Sequence, residues 1–181
     1  VVPNYQLSKN VRKIGILSKD DLEQIYIAIG FKNYGRNHED YYSIYLLRII
    51  LAGNMSSLLF TNLREKNGLT YSINVDFSCY HKLGAFTILT GVDKDKFINH
   101  GDEKGALEVI IDTLNYIKQK KITLEDLDIA KGFLKGQLSL VQDDNGNISE
   151  YNGKNVLFET DNIGKTYSNI YNDRYKNITL K

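Results

Sequence analysis

Apolar and polar positions along this chain change period several times, and each change predicts an element. Residues 22–31 alternate strictly, with Ile25, Ile27 and Ile29 facing one way and Gln24, Tyr26 and Ala28 the other. The polar start and apolar middle predict a central strand whose first residues reach a rim. A weaker alternation over residues 11–17 predicts an edge strand, preceded by a tail or linker at 1–10. A helix is expected from Asn37 or His38, with Glu39 and Asp40 in its first turn and an apolar face of Tyr41, Ile44, Tyr45, Leu47, Ile49 and Leu51. Gly53 ends it. Residues 71–79 set Ile73, Val75 and Phe77 against Asn74, Asp76 and Ser78, and residues 85–91 form a second strand. Together they predict a hairpin with a loop longer than two residues.

Helical periodicity dominates afterwards. Leu107, Ile110, Ile111, Leu114 and Ile117 predict a helix over 103–118. Thr123, three residues before Asp126, resembles a start cap for a long helix to about Gln142. Its apolar positions are Leu124, Leu127, Ile129, Phe133, Leu134, Leu138 and Leu140 or Val141. Residues 143–147 are a break, 148–165 read as helical in pieces anchored by Val156, Leu157 and Phe158, and a last helix covers 164–175. Antiparallel strands interrupted by paired helices point to a two-layer α+β domain, the sheet mostly antiparallel and the helices on one face.

Between the first helix and the hairpin lies the most informative stretch, residues 53–72. Leu58, Leu59 and Leu63 share a stripe, Ser56 and Ser57 stand where a start cap would, and Asn67-Gly68 is the expected stop. Arg64 and Tyr71 flank the turn within reach of one point in space. Packing alone does not require this pair, although an arginine at a helix end is also favoured by the helix dipole.

Bulk composition narrows the function classes. The 181 residues suit one domain over 11–181. A formal charge of +1 gives no strong field toward nucleic acid or an anionic membrane. No stretch is long enough to span a membrane and the first ten residues do not read as a signal peptide, so a cytoplasmic or organellar location is expected. The single cysteine, Cys79, excludes an internal disulfide framework and a cysteine-rich metal site.

Zinc hydrolysis needs three protein ligands and a carboxylate. His38, His81 and His100 include no pair at one-turn helical spacing, so no metal ligands and no catalytic residues are expected in this chain. Cys79 has no histidine placed by sequence to activate it. Residues 143–150 fail the spacing of a calcium loop, and residues 118–121 read as a solvated basic helix end.

Several runs nevertheless resemble one family. They are Leu22-Glu-Gln-Ile with Gly30-Phe31, Leu51-Ala-Gly-Asn-Met-Ser-Ser-Leu-Leu-Phe60, Leu63-Arg-Glu-Lys-Asn-Gly-Leu-Thr-Tyr-Ser72, Gly84-Ala-Phe and Ala130-Lys-Gly-Phe-Leu-Lys-Gly-Gln-Leu138. Together they resemble the pitrilysin and mitochondrial-processing-peptidase family of zinc metallopeptidases, in the second domain of a family half, which follows the zinc-carrying one. The resemblance implies a helix-covered antiparallel sheet and a chamber for unfolded peptides made by paired homologous domains. It implies that zinc is held by an inverted His-x-x-Glu-His helix in the other domain, a motif absent here. The family's arginine and tyrosine, seven residues apart, match Arg64 and Tyr71, as substrate-binding groups supported by Glu65, Gly68, Ser56 and Ser57; in some family domains the same pair is kept for packing. Asn54 and Leu58 depart from the family pattern, which has glycine and arginine there.

The implied partners are a homologous zinc-carrying domain of the same chain or a partner subunit, an unfolded peptide, and, as a further arrangement, a homo-oligomer. Expected functions are a substrate-binding domain of a zinc metallopeptidase, inactive alone; a non-catalytic scaffold subunit; or a stand-alone peptide-binding module.

Overall fold

The computed structural model describes residues 13–158 and 162–180. Its elements run β1 (Gln24–Tyr34), α1 (Tyr41–Ala52), a π-helical turn (Phe60–Glu65), β2 (Thr70–Cys79) and β3 (Leu83–Asp93). Then come α2 (Ala106–Lys118), α3 (Leu124–Val141), α4 (Asn145–Leu157) and α5 (Tyr167–Ile170), which runs into a second π-helical turn (Tyr171–Tyr175). The fold is α+β, an antiparallel sheet with its helices on one face.

Strand order is β1-β3-β2, both pairings antiparallel. The first strand is therefore an edge, not the central strand its apolar middle suggested. Two flanking strands need one between them, and β3 has the alternation for it, burying Phe86, Ile88, Thr90 and Val92. The β2–β3 loop is three residues, Tyr80 to Lys82, as a loop beyond the minimal two requires.

The expected edge strand at 11–17 does not form over its described part. Residues 13–17 have no regular structure, and Ile14, Ile16 and Leu17 are more than nine-tenths exposed. Their weak alternation makes no pairing with either edge of the sheet. Residues 1–12, with the expected tail, lie outside the described residues.

One face of the sheet is dry. Ile27, Val75, Phe86, Ile88 and Val92 pack against Leu51, Leu59, Leu63, Ala106, Val109 and Ile110. Each of the larger side chains, Ala106 apart, contributes roughly 1.5–3 kcal/mol on burial. On the other face Tyr26, Ala28, Ser72, Asn74, Asp76 and Leu89 are exposed. The helical side is two helices deep. Leu46, Ile49 and Ile50, on the far side of α1, pack against Leu127, Ala130, Leu134, Ile170 and Tyr175.

Helix boundaries follow local chemistry. α3 starts in a capping box, with Thr123 Oγ1 accepting from the Asp126 N–H (3.1 Å) and the Asp126 carboxylate from the Thr123 N–H (2.8 Å). The break at 143–147 is narrower than expected, because Asp144 caps α4 by accepting from the Asn147 N–H at 2.8 Å. α2 begins only at Ala106. Gly105 must pass so close to Ile98 that an added Cβ would meet its backbone at 2.2 Å. Val156 and Leu157, expected as anchors, are exposed; α4 turns Asn155 inward instead. Ile111, Leu124, Ile129 and Leu140 also face water, because the buried stripes are narrower than the apolar ones. No helix among the described residues is long and apolar enough to cross a membrane.

Candidate functional site

The site begins where α1 stops. Asn54 folds back, its Oδ1 accepting from the Ser56 N–H at 2.8 Å, while Ser57 Oγ donates to the Asn54 carbonyl at 2.6 Å. Neither serine acts as the capping acceptor expected of it. Asn54 instead makes a turn ahead of the helix, its amide oxygen reaching the N–H two residues on. Ser57 is buried and Ser56 exposed. The next residues wind as helix and widen at Phe60–Glu65, where the Lys66 N–H reaches the Thr61 carbonyl at 3.0 Å. Leu59 and Leu63 are fully buried beneath it.

Gly68 closes the turn. Its φ of +58° is left-handed, and its N–H donates to the Arg64 carbonyl at 3.0 Å. Lys96, on the connection after β3, donates to the Gly68 carbonyl at 3.2 Å. Glu65 is exposed on the turn.

Arg64 and Tyr71, chosen from the sequence, stand together. The Arg64 guanidinium lies 5.0 Å from the centre of the Phe60 ring and donates through Nη1 to the Tyr71 carbonyl at 3.0 Å. Both residues are exposed, Tyr71 by 76%. The exposure of Tyr71 contradicts simple parity. Ile73, Val75 and Phe77 face the helices, so a regular strand would turn Tyr71 inward as well.

A bulge changes the phase. Thr70 pairs with Val92 and Ser72 with the adjacent Gly91, leaving Tyr71 as the extra residue. Thr70 is buried in its place, beside buried Thr90, with their hydroxyl oxygens 2.8 Å apart. Thr70 Oγ1 accepts from the Ser72 N–H at 3.2 Å and lies within donating distance of the Gly91 carbonyl at 2.6 Å. Thr90 donates to the Ser72 carbonyl at 2.8 Å. Thr70, Thr90, Phe60 and Lys96 are the residues that sequence reasoning missed. The legible trace was a parity conflict: an exposed role for Tyr71 at a position of inward phase.

The histidines do not converge. His38 stacks on Tyr34, with ring centres 3.6 Å apart, and accepts from the Asp40 N–H. His100 bridges to Glu103, and His81 sits in the turn after β2. Among the described residues no three His, Cys, Asp or Glu side chains come together to hold a metal ion. Cys79 is half-buried, accepts from Asn33 Nδ2 at 3.4 Å, and has its thiol pushed by burial up to about 11. It is a poor nucleophile at neutral pH.

Residues 1–134 match the family profile described as the peptidase M16 inactive domain. An uncharacterised zinc protease of Bacillus subtilis, YmxG, is 33% identical over 155 residues, covering 86% of this chain and 35% of that protein. One from Rickettsia bellii is 33% identical over 169 residues, covering 91% of this chain and 36% of that protein. The chain thus spans about a third of the length of the curated relatives it matches. The crystal structure of a peptidase M16 inactive domain from Pseudomonas fluorescens superposes with a TM-score of 0.72 at 22% identity, covering 88% of this chain and 35% of that one.

Proposed function

Since the chain belongs to the M16 peptidase family, as its inactive domain, we propose that it is the substrate-binding and structural domain of a zinc metallopeptidase acting on peptides or precursor proteins. It has no hydrolytic activity alone, and a homologous zinc-carrying domain, on the same chain or a partner subunit, completes the site. One observation carries this reading: the Arg64 and Tyr71 side chains are both exposed, and Arg64 Nη1 is held on the Tyr71 backbone carbonyl.

That bond uses one of the guanidinium donors, and the others are available for a carbonyl or carboxylate of an extended peptide. The Tyr71 hydroxyl can donate to a scissile carbonyl oxygen as negative charge develops there. Both groups bind and orient; neither generates a nucleophile. On this reading the zinc belongs to the homologous zinc-carrying domain.

In the full-length protein, Tyr71→Phe is expected to lower kcat/KM for a peptide by roughly 10²-fold, as loss of an oxyanion donor does. Arg64→Lys is expected to cost roughly tenfold, because the fork is lost while the charge is kept. Zinc content should not change in either variant. The chain alone should hydrolyse no peptide and keep no zinc after dialysis; one tightly held zinc per chain would overturn the assignment.

The scaffold reading is favoured by the same Arg64–Tyr71 bond, since a guanidinium on a backbone carbonyl also serves packing. It expects unchanged hydrolysis in both variants and a loss of stability in Arg64→Ala.

A further inference from the structure

The bulge at Tyr71 is held at both ends of one peptide group. The Tyr71 carbonyl accepts from Arg64 at 3.0 Å, and the N–H of the same peptide, on Ser72, donates to Thr70 Oγ1 at 3.2 Å. The following carbonyl, of Ser72, lies 2.8 Å from both the Thr70 and the Thr90 hydroxyl oxygens. Two hydroxyls thus occupy the ladder positions that a bulge leaves without regular strand partners. Both threonines are buried, at 6% and 5% exposure, so bulk water cannot easily substitute for them.

We infer that the Thr70–Thr90 hydroxyl pair is a positioning device: it holds the phase shift in β2 that turns Tyr71 outward beside Arg64. Without it, the phase of Ile73, Val75 and Phe77 favours an inward Tyr71. The Arg64 guanidinium would also lose its carbonyl partner. The threonines touch no substrate and act only through Tyr71 and Arg64. A role in hydrolysis rests on the proposed function; the positioning itself does not.

Two measurements separate these claims. In the chain of 181 residues, amide hydrogen exchange at Ser72 should be slow, at least tenfold faster in Thr70→Val, and slow again in Thr70→Ser, which restores the hydroxyl. Thr90→Val gives an independent reading if Thr70→Val fails to fold. Unchanged Ser72 exchange and unchanged Tyr71 chemical shifts in both valine variants would overturn the inference.

In the full-length protein, Thr70→Val should lower kcat by up to roughly 10²-fold with KM little changed, because misplacing a group by about an ångström can cost that much. Thr70→Ser should recover most of the loss. A normal kcat in Thr70→Val alongside a depressed Tyr71→Phe would sink the positioning role and leave the proposed function standing. Normal kcat in both Tyr71→Phe and Arg64→Lys would instead sink the proposed function, with the exchange experiment still deciding the bulge.

Discussion

Single residues in this chain answer to their immediate dielectric. Burial pushes the Cys79 thiol up to about 11, and the Tyr41 phenol, flanked by Tyr42 and Phe77, up to about 12. Because the thiolate is the attacking species, alkylation of native Cys79 should be far slower than that of an ordinary thiol at pH 8. Its rate should rise about tenfold per pH unit toward 11; iodoacetamide labelling with and without urea measures the contrast. Both folded pKa values lie above their unfolded ones, so the unfolded chain loses these protons first. The stability they contribute is full below about 9, the ordinary thiol value, and is lost as pH rises through 11 to 12. The urea midpoint should therefore fall steadily from pH 9 upward.

At the scale of elements, caps and turns matter more than propensity. Thr123→Ala removes an acceptor that satisfies the Asp126 N–H and should cost about 1 kcal/mol, read from denaturation midpoints. Gly68→Ala meets no atoms within 4 Å of its new Cβ, so its whole cost, about 1–2 kcal/mol, comes from the left-handed backbone. Gly105→Ala should cost more, since its Cβ has no room against Ile98. These elements were largely legible beforehand. The hairpin, the stop at Gly68, the Thr123 cap and the break near Asp144 each rest on contacts within a few residues. Strand rank and burial were less so: β1 lies at an edge and Val156 and Leu157 face water, because neighbours distant in sequence decide both.

For the whole molecule, α1 is the shared wall. Leu51 faces the sheet core while Leu46, Ile49 and Ile50 face α3 and the C-terminal helices. Leu51→Ala and Leu46→Ala should each destabilise by about 2–5 kcal/mol. Both should shift one common transition, with far-UV circular dichroism and tyrosine fluorescence coinciding, because neither core can unfold and leave α1 in place. Two separate transitions would show that the helical tier is independent of the sheet.

The sequence by itself determined the class of the fold through periodicity and the family through the resemblance of short runs, and it put forward Arg64 and Tyr71 as a candidate pair, since all of these are local properties of the chain. It could not determine which way Tyr71 points. Alternation by two, extended back from Ile73, sends that ring into the core, and only the pairing of Thr70 and Ser72 with neighbouring residues of β3 reverses it. The one-residue phase shift is tied to a hydroxyl eighteen residues away, at Thr90, and to the Gly91 carbonyl. Contacts of that range exist only once the sheet has formed.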